Sequence, residues 1–257
     1  MIGFLIKKNF FDLWDNLFRV ALLNLGFIAS MAIPVFIPTL LESVPVLGMA
    51  VLFIGIVWCF IYLSTAAHCL KTVSDYGSFG FADFFSNLKI CWPLGLIAGV
   101  LVFISYLLVT VVIRFYLSMN SMIGLFLAAI IFWTLVVSLL SLQFLFTVRS
   151  RLDTKTLKIM KKCFIFFFDN PGFCLFTFIN NLVMLAISLF LAFLFPGPAG
   201  ILLFLDEGLR LRLLKYDWLE QNPEANRRKI PWDALLIDER ERTGTRSFKN
   251  FIFPWKD

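Results

Sequence analysis

The densest charge within apolar surroundings lies in the stretch ILLFLDEGLRLRL at 201–213, where Asp206 and Glu207 are followed by Arg210 and Arg212. On a helix, Asp206 and Arg210 stand four apart and Glu207 and Arg210 three apart, the spacing of side-chain neighbours. Carboxylates inside a bilayer are costly unless paired or turned toward a wet or protein-lined interior, and there they mark ion and proton paths. Three roles are open to this group: an acid snorkelling to the boundary from a tilted helix, a buried structural pair, or a contact for an ion or substrate. Asn180 and Asn181 sit in the preceding apolar segment. Together Asp206, Glu207, Arg210, Asn180 and Asn181 form the one candidate intramembrane polar patch.

Other chemistry is sparse. No G-x-S-x-G, Walker, H-E-x-x-H or dinucleotide motif occurs in the chain. The five cysteines make no C-x-x-C and the single histidine, His68, cannot build a metal cluster alone, so no catalytic, cofactor or metal residues are assigned. Isolated polar residues in apolar runs (Asn24, Ser105, Gln143 and the Asn180–Asn181 pair) are expected mainly to join helices. A lipid-modifying enzyme would need a nucleophile or metal that the sequence does not assemble.

The elements that must position these residues are membrane helices. The chain is 60% hydrophobic and 16% charged, with a mean hydropathy of +0.87, whereas soluble domains are about 45–50% apolar and about 25% charged. Uncharged stretches predict spans near 20–41, 45–67, 93–114, 122–147 and 173–195, each close to the ~20 residues a bilayer requires. Pro196-Gly197-Pro198 then breaks the helix. Lys7 and Lys8 are separated from the first apolar run by Asp12, Asp15 and Arg19, unlike a cleavable signal peptide.

Charge sets the direction. With a cytoplasmic N-terminus, 22 of the 23 Lys and Arg residues fall on one side and only Arg114 on the other, provided the chain recrosses after Pro198. A sixth span at 199–216 is therefore expected, giving an all-α membrane domain (1–216) of six spans in three hairpins and a cytoplasmic tail (217–257). The net charge of +6 reads as this topogenic signal and as attraction to anionic headgroups rather than to nucleic acid.

Three stretches, 4–18, 81–92 and 155–168, are amphipathic and predict interfacial helices on the cytoplasmic leaflet. They end alike, in LWDNL, FFSNL and FFDNP. This is a weak threefold repeat that places Asn16, Asn87 and Asn170 to cap the following span with a side-chain oxygen. The tail carries RRK at 227–229 and DERER at 238–242 among apolar anchors (Trp218, Trp232, Leu235, Leu236, Ile237 and FIFPW at 251–255). It is expected to dock on the cytoplasmic face, with a partner-binding arm as the alternative.

The segment TAAHCLKTVSDYGSFGFADFFSNLKICWPLGLIAG at 65–99 resembles the YesL-like family of bacterial integral membrane proteins, through Ala66, Ala67, Lys71, Phe84, Phe85 and Asn87. Pro34 and Pro38 are similar to that family's proline-bearing first span. The resemblance implies a small helical inner-membrane protein working beside carbohydrate uptake systems, with no catalytic residues to carry over. The expectation is a non-enzymatic scaffold, accessory or regulatory partner of a membrane complex. The alternative is a transporter or channel component, its proline-broken first span and the site around Asp206 resembling discontinuous transport helices.

Overall fold

The computed structural model describes residues 1–41, 43–226, 229–244 and 246, all-helical with no strand among them. FIFPW at 251–255 and the arginines of the RRK run lie outside the described residues. The elements are α1 (Ile2–Asp15), α2 (Leu17–Leu40), α3 (Pro45–Ser74), α4 (Phe81–Leu107), a π-helical stretch (Leu108–Ile113) leading into α5 (Arg114–Ser118), α6 (Met122–Leu142), α7 (Leu145–Arg151), α8 (Thr156–Asp169), α9 (Pro171–Phe190), α10 (Gly197–Gln221), α11 (Trp232–Leu235) and α12 (Ile237–Thr243).

Local signals set several of the starts. Prolines open α3 and α9, where the missing N–H costs no helical bond. The Ser121 hydroxyl accepts from the Gly124 N–H at 3.1 Å ahead of α6. Gly80 donates its N–H to Asp83 Oδ2 at 2.7 Å ahead of α4. α2 runs unbroken through Pro34 and Pro38, so the first long helix is not discontinuous.

Five helical segments are long and apolar enough to cross a membrane: Leu17–Leu40, Pro45–Ser74, Phe81–Ser118, Met122–Arg151 and Pro171–Phe190. These fit a multi-pass membrane protein. α10, which contains the expected sixth span, is not among them, because its apolar run stops at Leu205 and five ionisable residues follow by Lys215.

Two of the three expected interfacial helices stand apart. α1 and α8 each end at an asparagine, Asn16 and Asn170, before the next helix begins. The third does not, since 81–92 is the uninterrupted start of α4 and Asn87 lies inside it, its Nδ2 donating to Cys69 Sγ at 3.4 Å. The capping role also reverses. Asn16 Nδ2 donates to Asp12 O (3.0 Å) and Asn170 Nδ2 to Phe166 O (3.4 Å). Both asparagines close the helix behind them rather than capping the one ahead, because their amides reach the orphan carbonyls of the last turn.

α1 turns Leu5, Lys8, Asn9, Phe11, Asp12 and Leu13 inward and leaves Trp14 exposed, as is Phe18 at the start of α2.

Packing is uneven along the bundle. α3 and α4 approach closely: a Cβ on Gly99 would lie 2.6 Å from Val57 Cα, and Gly95 sits equally tightly on Ile61. Small residues four apart thus seat one helix on another. Apart from Gly48 and Gly55, the buried residues of α3 begin at Cys59, and α6 buries only Gly124, Ala128 and Ser141. The core therefore lies toward the α3 C-terminus, around α10, in which Leu202 to Leu209 are all buried.

Two helices run antiparallel along α10 in step. Gly208 faces Leu5 and Phe173, and eight residues earlier Gly200 faces Leu13 and Met184. The turn between α9 and α10 meets α2 at Asn24. That is about 10 Å along α2, with about 24 Å of the helix still to run.

Candidate functional site

Where the C-terminal ends of α3 and α7 meet α10, acidic and basic side chains form one connected cluster. Asp206 is fully buried and accepts from Arg151, Nε to Oδ1 at 2.9 Å and Nη2 to Oδ2, with the Ser150 hydroxyl at 3.4 Å. Arg151 extends the cluster to Asp75 (3.1 Å) and to the Ser74 hydroxyl (3.0 Å). Arg210 reaches Asp75 at 3.1 Å, donates to the Ser74 carbonyl, and pairs with Glu239 Oε1 of α12 at 2.7 Å. Cations gathered at the α3 C-terminus also meet its dipole favourably.

Tyr76 ties the cluster to the tail and to α1. Its hydroxyl donates to Glu239 Oε2 at 2.8 Å, and Lys8 Nζ lies 4.0 Å from its ring centroid. Lys8 has no exposed surface; it donates to Ser74 O at 3.2 Å, pairs with Asp12, and lies 3.7 Å from Glu207 Oε1. Burial alone would lower the Lys8 pKa, but Glu207 and Asp12 outweigh it and raise it.

Glu207 is the outlier. It is fully buried, and neither carboxyl oxygen meets a partner at hydrogen-bond geometry. Burial pushes its pKa well above the usual carboxylate range against the pull of Lys8, with Asp12 adding to the rise.

The expected polar patch is divided. Asp206 and Glu207 face different partners, Arg151 and Lys8, and Arg210 pairs with Asp75 and Glu239. The intrahelical Asp206–Arg210 and Glu207–Arg210 pairs do not form, because better-placed charges come from other helices. On α9, Asn181 Nδ2 donates to Gln143 Oε1 at 3.4 Å, and Gln143 Nε2 donates to Cys174 O at 2.9 Å. Asn180 is half-buried and joins neither group. Among the described residues no cluster of three or more His, Cys, Asp or Glu could hold a metal.

Sequence reasoning missed Lys8, Asp75, Arg151 and Glu239. Their only sequence signal is position: Asp75 and Arg151 follow or end long apolar runs, and Glu239 lies within DERER. Asn24, expected to join helices, does so through the α9–α10 turn. Asn24 is fully buried in α2; its Nδ2 donates to Leu194 O (3.0 Å) and Pro196 O (2.8 Å), and its Oδ1 accepts from Ala199 N–H (2.9 Å). One side chain thus caps α10 from another helix and satisfies the turn before it. The Ser188 hydroxyl accepts from Gly197 N–H at 2.9 Å. Gly197 has φ +61°, and a Cβ there would run into the Asn24 amide.

The tail docks where the cluster ends. Leu236 is fully buried, Glu239 and Thr243 are buried, and Arg212 stacks between Phe173 (4.3 Å) and Trp232 (5.6 Å). Compared with protein-family models, curated proteins and solved structures, the chain finds no match in any of the three.

Proposed function

We propose that this is a non-catalytic membrane protein of the bacterial inner membrane, a scaffold or accessory partner of a membrane complex, with both termini cytoplasmic and YesL-like affinity. The observation that carries the role is α6: only three of its 21 residues are buried, and Phe126, Ile130 and Trp133, at i, i+4 and i+7, stand exposed on one apolar face. Such a face suits a partner's membrane helix. The basic side would meet anionic headgroups, with no role for nucleic acid.

The topology we propose differs from six full crossings. α2, α3, α4–α5 and α6 cross; α9 and α10 dip in from the cytoplasmic side and return. The Asn24 contacts support this, since the hairpin tip meets α2 in its first third, and irregular backbone at membrane depth is tolerated only where protein satisfies it. A dip also accounts for the short apolar run of α10. It puts the 22-residue basic excess on one face without a sixth crossing.

Purification in mild detergent is expected to yield the chain with a stoichiometric membrane partner that Trp133→Ala and Phe126→Ala together release. Repeated recovery of the chain alone would overturn the role. For the topology, an impermeant maleimide added from the periplasmic side is expected to label Asn120→Cys and leave Leu194→Cys unlabelled. Equal labelling would restore six full crossings.

A further inference from the structure

We propose that the groove between α2 and the start of α4 is a binding site for one anionic phospholipid. The cavity is about 460 Å³, within the range of small-ligand pockets. Its walls are apolar and aromatic, from Leu22, Leu25, Ala29, Tyr62, Phe81 and Phe85, and Arg19 is the one charged residue in its lining. The Tyr62 hydroxyl donates to Leu23 O at 2.8 Å, which fixes that wall and leaves no donor for a polar guest deep in the groove. Asp83, the nearby acid, is held by the Gly80 N–H.

Charge identifies the occupant. Arg19 is exposed, among the described residues no carboxylate pairs with it, and its one hydrogen bond goes to neutral Asn16 Oδ1 at 2.9 Å. Among the described residues the remaining guanidinium N–H groups meet no partner, and they suit a phosphate, which Arg recognises through parallel donors. Arg19 is also the third residue of α2, just past the Asn16 break, while Leu22, Leu25 and Ala29 follow up the same helix. A headgroup on Arg19 would therefore lead an acyl chain along the apolar wall. The leaflet, though not the binding, rests on the topology proposed above.

Native mass spectrometry of the delipidated protein in detergent, mixed with equimolar dioleoyl phosphatidylglycerol and dioleoyl phosphatidylcholine, tests the site in micelles, which have no sides. One phosphatidylglycerol should be retained about fivefold over phosphatidylcholine, as one basic contact near a membrane surface implies. Arg19→Gln should bring that ratio near one, Arg19→Lys should keep most of it, and Ala29→Phe should reduce retention of both lipids. Glycerol phosphate at equal concentration should give no adduct. An unselective wild-type chain, a ratio unchanged in Arg19→Gln, or full retention in Ala29→Phe would overturn the proposal.

Discussion

Asp206→Ala is expected to destabilise the folded chain by about 3–5 kcal/mol, the cost of leaving one member of a buried pair unmatched. Asp206 is fully buried and the Arg151 side chain only 10% exposed, so the guanidinium cannot recover its lost contacts from water. Asp75 offers a partial substitute at 3.1 Å. Arg151→Ala should also be destabilising, because it leaves the fully buried Asp206 carboxyl with the Ser150 hydroxyl at 3.4 Å. The double variant should be less destabilised than the two single effects added, by about 0.5–3 kcal/mol of coupling. Thermal unfolding in detergent of the four chains measures this directly. Additive losses would mean that Asp206 and Arg151 do not act as a pair, and an unaffected Asp206→Ala would remove the cluster's structural role.

The long apolar helices were legible because burial in lipid writes itself into composition: five of the six expected spans fall in helices apolar enough to cross. The break at Pro196-Gly197-Pro198 was legible for the same reason that any proline pair is. Partner choice was not. Asp206 and Arg210 are neighbours by spacing, yet Arg151 is 55 positions away in sequence and takes the carboxylate, because the α7 terminus is delivered there by the fold. The Asn16 and Asn170 breaks could be read from the motif, but not whether each amide would serve the helix before or after it. Residues 81–92 share the motif and form no break, since α4 runs without a turn from Phe81 through Pro93 to Leu107. Docking of α12 was foreseeable from its apolar anchors; its ion pair to Arg210 was not, since nothing in DERER distinguishes Glu239 from its neighbours.

Asn24 carries the second large effect, and it separates residues that the sequence presents as equivalents. Asn24 and Asn181 are both lone amides in apolar helices. Asn181 is half-buried, with one long bond to Gln143 at 3.4 Å. Asn24 is fully buried and makes three good bonds, to two carbonyls and one N–H of the α9–α10 turn. Asn24→Leu keeps the branched outline of the side chain and removes every one of them. A buried backbone group left unpaired costs about 1–3 kcal/mol; Pro196 O keeps the Gly200 N–H at 3.0 Å, so the two groups left, Leu194 O and Ala199 N–H, imply a loss of at least about 2 kcal/mol, against less than about 1 kcal/mol for Asn181→Leu. Asn24→Asp should also be poor, because a carboxylate can still accept from Ala199 but faces the Leu194 and Pro196 carbonyls without a donor. Asn24→Gln tests reach: the right groups on a longer arm collide with Gly197, and the loss should fall between those of Leu and wild type. The hairpin tip should loosen first, so amide exchange at 192–200 should rise in Asn24→Leu before the α3–α4 pair is affected. If Asn24→Leu and Asn181→Leu prove equally mild, the tip is held by something other than this side chain, and the depth assigned to the α9–α10 hairpin loses its anchor.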